Sequence, residues 1–113
     1  MRAYELMIIY VGDTEDADVE KALTTVGAAV EAGNGRVVKI DRWGRRRFAY
    51  EIAHRSEGIY VVLEIVTESR DLHDLERSLR LADEVVRHKV IRLPDHEAAR
   101  RGLLGEATPV EAG

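Results

Sequence analysis

Apolar residues change their spacing along this chain, and the order of those changes leaves few folds open. From Ala3 to Val11 the residues are almost continuously apolar, as in a central strand with both faces partly covered. Val19, Leu23, Val26 and Val30 then recur every three or four residues, one stripe along a helix of about five turns. A second strand pattern covers residues 36–43. Val38 and Ile40 share a face there and Val37 takes the other, so a bulge or a two-sided strand is expected. The pattern runs on through Phe48 to Ile52, and Ala53 to Glu57 suits a hairpin connection. Gly58 to Val66 alternates cleanly, with Val61, Leu63 and Ile65 on one face and Tyr60, Val62 and Glu64 on the other. Leu72, Leu75 and Leu79 form a second helical stripe. Asp83 and Glu84 suit a turn, and Val85 to Leu93 reads as the last strand, closed by Pro94.

The order strand, helix, strand, strand, helix, strand is that of the ferredoxin-like α+β fold. It makes a four-stranded antiparallel sheet with two helices on one face. Right-handed crossovers put the first and third strands in the centre and the first beside the last. The sheet's other face then carries Tyr60, Val62 and, on this reading, Tyr4. Gly12-Asp13-Thr14 is expected to turn the chain and cap the first helix, and Ser69 to cap the second. Gly33-Asn34-Gly35 should end the first helix, because glycine and asparagine tolerate left-handed backbone. The fold accounts for residues 1–93. Residues 94–113, with Pro109, three glycines and weak periodicity, read as a tail that is mobile unless a partner orders it.

Charge is unevenly placed. The formal net charge is -4, yet Arg42, Arg45, Arg46 and Arg47 fall within six residues, interleaved with Trp43, Phe48 and Tyr50. The excess of arginine over lysine, 14 against 3, fits the codon usage of a GC-rich genome, but codon usage does not explain the clustering. Guanidinium groups match phosphate oxygens and stack on flat rings, and basic residues mixed with aromatics suit RNA better than a membrane surface. The bland alternative is a solvated basic hairpin. A period of two sends Arg45 and Arg47 to one face and Arg46 to the other, and at least one of them is expected to extend past the helices or to pair with an acid such as Asp41 or Glu51. The cluster as a whole is expected to act in assembly, with little part in folding. A second basic group, Arg80, Arg87, Lys89 and Arg92, surrounds the last strand, with Arg2 at the start of the first. Its bland alternative is a charged edge strand that resists aggregation.

No catalytic constellation is apparent. The chain has no cysteine, so disulfides, thiolate metal sites and cysteine nucleophiles are excluded. His73 and Glu76 lack a second histidine one turn away, so a zinc-hydrolase site is unsupported. His54, His88 and His96 read as surface or rim residues, and Ser56, Ser69 and Ser78 lack a nucleophile elbow. No apolar run is long enough to span a membrane, and the N-terminus lacks a signal-peptide layout. No metal, cofactor or small-molecule substrate is expected.

Met1-Arg2-Ala3-Tyr4-Glu5, the run from Gly44 to Ile52, Gly58-Ile59-Tyr60 and the run from Leu75 to Leu81 together resemble the bacterial small-subunit ribosomal protein six family, over residues 1 to about 93. The resemblance implies the ferredoxin-like fold, no enzymatic activity, and a cytoplasmic place in the small ribosomal subunit. It also implies pairing with small-subunit ribosomal protein eighteen on the central domain of the small-subunit ribosomal RNA, and in some members binding to the protein's own messenger. The matching RNA-contact positions are Arg2, Tyr4, Arg80, Arg87 and Arg92. Lys89 joins them from its place on the last strand. Trp43, Arg45, Arg46, Arg47, Tyr50 and Tyr60 would be shared between RNA and the protein partner. Ala3, Ala82 and Val86 stand where members often carry polar or basic residues, which lightens the expected RNA footprint. Two other functions share this topology. A small-molecule-sensing regulatory domain would use glycines in the first strand–helix loop, where only Gly12 stands. A generic RNA-recognition domain would carry a Lys/Arg-Gly-Phe/Tyr pattern that Gly58 to Val62 lacks.

Overall fold

The computed structural model describes residues 1–69 and 71–103. The elements run β1 (Arg2–Val11), α1 (Asp16–Ala32), β2 (Gly35–Ile52), β3 (Arg55–Thr67), α2 (His73–Leu81), β4 (Val85–Leu93) and α3 (Asp95–Arg100). The four strands form one antiparallel sheet in the order β2-β3-β1-β4, so β1 and β3 lie in the centre and β4 beside β1, as the ferredoxin-like pattern requires.

One sheet face makes the main core. Tyr4, Leu6, Ile8 and Tyr10 of β1 and Ile59, Val61, Leu63 and Ile65 of β3 pack with Val19, Leu23, Val26 and Val30 of α1 and with Leu72, Leu75 and Leu79 at α2. Both helical stripes read from the sequence are buried here, because non-directional burial of apolar area selects the face each helix turns inward. Tyr4 is a correction. It pairs with Ile65, shares the helix-covered face with Leu6 and Ile8, and is only 4% exposed. Alternation along β1 therefore puts it opposite Tyr60, whose partner is Ile9.

The hairpin of β2 and β3 is longer than its sequence suggests. Only Ala53 and His54 connect the strands, both with positive φ (52° and 62°), and Ile52 pairs with Arg55. The expected bulge is present: the register shifts between Val37 and Lys39, leaving Val38 as the extra residue while Val37 packs against the core. A second shift lies between Arg42 and Gly44, and Gly44 has φ of 88°, the left-handed conformation such a bulge favours.

The helix ends differ from expectation in detail. Glu15 is the N-cap residue of α1 and no side chain caps it; the Thr14 hydroxyl donates instead to the Val11 carbonyl at 2.6 Å. Leu72 precedes α2, the Asp71 carboxylate accepts from the His73 N–H at 3.1 Å, and the Ser69 hydroxyl donates to the Gly33 carbonyl at 3.2 Å. Asn34 takes the left-handed conformation after α1, with φ of 65°.

Within the segment read as a mobile tail, residues 95–103 are structured. Ala98 and Leu103 are buried with Ala3, Val66 and Leu93 in a small second cluster on the face away from α1 and α2. Arg101 reaches Glu64 at 3.1 Å, and Arg100 and Arg101 both donate to Glu97, at 2.7 Å and 2.6 Å. The hydrogen bonds from Arg100, then from Arg101, hold the Glu97 carboxyl below the usual carboxylate range. Residues 104–113, the rest of that tail, lie outside the described residues.

Candidate nucleic-acid interface

With α1 and α2 on one face and α3 across one end of the other, the remaining open surface is the hairpin end of the second face. Its centre is an aromatic stack. Trp43 is the extra residue of the bulge at Gly44, and its ring lies parallel to that of Tyr60, at 8° with centroids 6.1 Å apart. Phe48 meets Tyr60 edge-on at 6.2 Å. The Trp43 indole N–H donates to the Asp41 carboxylate at 3.2 Å, which fixes the ring's orientation. The Arg46 guanidinium lies over the Trp43 ring, 5.6 Å from its centroid. Phe48 completes the stack although the sequence candidates omit it. Gly58 marks its place, since a Cβ there would meet the Phe48 ring at 2.9 Å.

The arginine cluster divides as a period of two requires, but its ties are not those expected. Arg42 turns to the helix side and bridges Asp16 at 3.5 Å and Glu20 at 2.9 Å on α1. Arg45, paired with the core residue Ile59, donates from Nε to the Gly12 carbonyl at 2.6 Å and sits 3.9 Å from Glu57. Neither Asp41 nor Glu51 is its partner. Arg46, opposite Gly58, is on the open face. Arg47 is exposed opposite Glu57, and Tyr50 is 71% exposed near the hairpin tip.

The second basic group is not gathered into one patch. Arg87 and Lys89 pair with Ile9 and Met7, so they stand on the open face in line with Tyr60 and Val62. Arg92 pairs with Tyr4 and Arg2 with Thr67, which places both on the helix side, at the sheet end away from the hairpin. Arg80 is exposed in the last turn of α2. Tyr4, buried in the core, offers no surface to RNA. The structure thus brings Trp43, Arg46, Tyr60, Arg87 and Lys89 to one face and leaves Arg2, Arg80 and Arg92 on another side.

Among the described residues, no group of three or more His, Asp or Glu is placed to hold a metal ion, and no helix is long and apolar enough to cross a membrane. The hollow at the start of α1 is lined by Asp13, Glu15, Asp18 and Glu84 with Lys21, an acidic environment that repels anions.

Residues 3–92 match the model of a family described as Ribosomal protein S6. The chain belongs to the ribosomal protein S6 family. Its relatives include the small ribosomal subunit protein bS6 of Acidothermus cellulolyticus, 44% identical over 95 residues, which cover 84% of this chain and 98% of the relative. The bS6 of Mycolicibacterium paratuberculosis is 43% identical over 96 residues, covering 85% of this chain and all of the relative. Among solved structures, the crystal structure of 30S ribosomal protein S6 from Thermotoga maritima is similar, with a TM-score of 0.79 and 31% identity, over 91% of this chain and 97% of that one. The ribosomal protein S6 fold is therefore the frame on which the aromatic and basic residues above are mounted.

Proposed function

We propose that this chain is a structural, non-enzymatic protein of the small ribosomal subunit, working in the cytoplasm. It binds the central domain of the small-subunit ribosomal RNA as a pair with small-subunit ribosomal protein eighteen. One observation carries the RNA-binding part. Arg46, Arg87 and Lys89 share an exposed face with the Trp43–Tyr60 stack in a chain of net charge -4. An acidic protein with a small cationic face holds RNA locally and gains from a partner that adds contacts. Each phosphate neutralised contributes roughly -0.7 to -0.9 to the log–log salt slope, so a handful of contacts leaves a shallow one.

The test is binding of labelled central-domain RNA by the lone chain and by the pair, across a salt series. The lone chain is expected to bind weakly with a shallow slope, and the pair tightly. Lone-chain affinity equal to that of the pair contradicts the proposal.

A further inference from the structure

We infer that the hairpin end of the open face is a stacking site for an unpaired RNA base. Trp43 and Arg46 receive the base, and Arg87 and Lys89 hold its flanking phosphates. This rests on the RNA-binding reading above and narrows it from RNA in general to single-stranded RNA, and from fourteen arginines to two.

The ring is prepared for a stack. Trp43 is 43% exposed, backed by the parallel Tyr60 ring, and tied through its N–H to Asp41. A side chain already held in place loses little rotamer freedom when a ligand settles on it. Arg46 covers the ring without being locked there; its other tie within the chain is a long hydrogen bond to the Trp43 carbonyl at 3.4 Å. A guanidinium plane over an indole either accepts a base on its outer side or gives way to one, and both arrangements are sequence-tolerant because every base has a π-face.

The cations are at the right reach. Arg87, Ile9, Tyr60 and Gly44 lie in one row across β4, β1, β3 and β2. Neighbouring strands are about 4.8 Å apart, so Arg87 starts about 10 Å from Tyr60 across the sheet, with Lys89 two residues further along the same strand. Among the described residues, neither Arg87 nor Lys89 is engaged by an acid. Of the acids on this face, Asp41 accepts from Trp43, Glu64 is taken by Arg101, and Glu5 sits directly across from Glu64 near α3. At the hairpin end Arg46, Arg87 and Lys89 therefore stand against Asp41 as the nearest acid of this face.

A protein occupant fits less well. Ile9 and Val62, the apolar middle of the face, are already buried within the chain, and Ala98 and Leu103 cover the opposite end. The exposed aliphatic residue of this face, Ile91 at 45%, lies across from Glu5 toward α3, so the hairpin end itself presents mainly rings and cations and lacks the apolar centre of a protein interface. Inside a double-stranded helix each base face is covered by its neighbours, so a base that reaches the ring is unpaired.

Trp43 is the chain's single tryptophan, so its fluorescence reports this site alone. The full chain is titrated at low salt with a single-stranded hexamer of adenosine and with a blunt RNA duplex of equal length. The hexamer is expected to quench Trp43 to saturation and the duplex to leave it unchanged. Measured by anisotropy of labelled hexamer, Trp43→Ala should weaken binding by roughly 5- to 150-fold, the range given by the loss of one stacked base. Trp43→Phe should retain most of the affinity, and Arg87→Gln should reduce the salt slope by about 0.7. Quenching by duplex equal to that by hexamer, or unchanged binding by Trp43→Ala, overturns the inference. So does displacement of the hexamer by protein eighteen with Trp43 buried beneath it, which would make the face a protein contact. Occupancy of the wild-type chain in reconstituted small subunits separates the two proposals. Normal occupancy with a failed hexamer assay removes only the stacking site, whereas absence from the subunit removes the proposed function.

Discussion

Replacing Arg45 by alanine should destabilise the fold, whereas replacing Arg46 or Arg47 should not. Arg45 Nε donates to the Gly12 carbonyl at 2.6 Å and approaches Glu57 at 3.9 Å, which ties β2 to the loop between β1 and α1. That loop is packed tightly: a Cβ on Gly12 would meet Glu57 Cγ at 2.8 Å. A hydrogen bond from a charged donor contributes about 1.5–3 kcal/mol where it is desolvated. The Arg45 side chain is half exposed, which reduces this to about 1 kcal/mol, and an exposed pair at the Glu57 distance adds little. Among the described residues Arg46 is tied to Trp43 alone, a contact worth about 0.5 kcal/mol at an exposed site, and Arg47 has less. With a urea m-value of about 1–3 kcal/mol/M, Arg45→Ala should lower the midpoint by roughly 0.3–1 M. Arg46→Ala and Arg47→Ala should stay within about half of that. The small folding contribution expected of Arg45, Arg46 and Arg47 is therefore concentrated at Arg45. An Arg46→Ala cost equal to that of Arg45→Ala, or no cost at Arg45, would refute the division of the cluster into a structural and an exposed half.

Leu63 is fully buried in the middle of β3 between Leu6 and Ile40, so Leu63→Ala should cost about 2–5 kcal/mol in urea unfolding; a loss under about 1 kcal/mol would contradict the assigned core face. The Tyr10 hydroxyl is buried with no hydrogen-bond partner among the described residues, so Tyr10→Phe should be neutral or gain about 1 kcal/mol, and a clear loss would show a bond the structure does not contain. Burial, with the Glu84 charge, raises the Tyr10 pKa from 10.0 to about 12. Folding thus holds a proton that the unfolded chain releases: this contribution is intact below pH 10 and lost as the pH rises toward 12. Urea midpoints at pH 8 and 11 should diverge for the wild type and less so for Tyr10→Phe. Ala53 and His54 both take left-handed backbone, so the pair Ala53→Asn and His54→Gly should stabilise by about 1 kcal/mol, seen as a rise in Tm of roughly 4–8 °C.

Element order and both helix stripes were legible because burial against a single sheet face imposes one period on each segment. Val61, Leu63 and Ile65 alternate with residues on the other face, and Val19 to Val30 keep helical spacing. Tyr4 was misplaced because β1 is apolar on both faces: Ile8, Ile9 and Tyr10 are all buried, so composition carries no sign of which parity faces the helices. The two-residue turn was hidden because Ala53 and His54 are not the glycine or asparagine that left-handed backbone favours. A six-residue helix is too short for periodicity to reveal, so α3 left no signal, although Ala98 and Leu103 anchor it. At the candidate site, the alternation of Arg45, Arg46 and Arg47 was readable from a period of two. Their partners were not, because the Gly12 carbonyl lies 33 residues from Arg45 and no local pattern links them. Gly44 was the visible mark of the bulge that turns Trp43 onto Tyr60. Arg2, Arg80 and Arg92 looked like companions of Arg87 and Lys89 because strand neighbours are near in space, but strand parity and the helix separate them.

The central claim is that this chain occupies the small ribosomal subunit and engages it through the open sheet face. The most direct measurement is the fraction of chain that sediments with small subunits reconstituted from ribosomal RNA and the other subunit proteins. It is read for the wild type and for a variant carrying Trp43→Ala, Arg46→Ala and Arg87→Ala. The account expects near-stoichiometric wild-type occupancy and a clearly lower occupancy for the variant, with the variant's urea midpoint close to that of the wild type. A wild-type chain that stays in the soluble pool, or a folded variant with full occupancy, would contradict it.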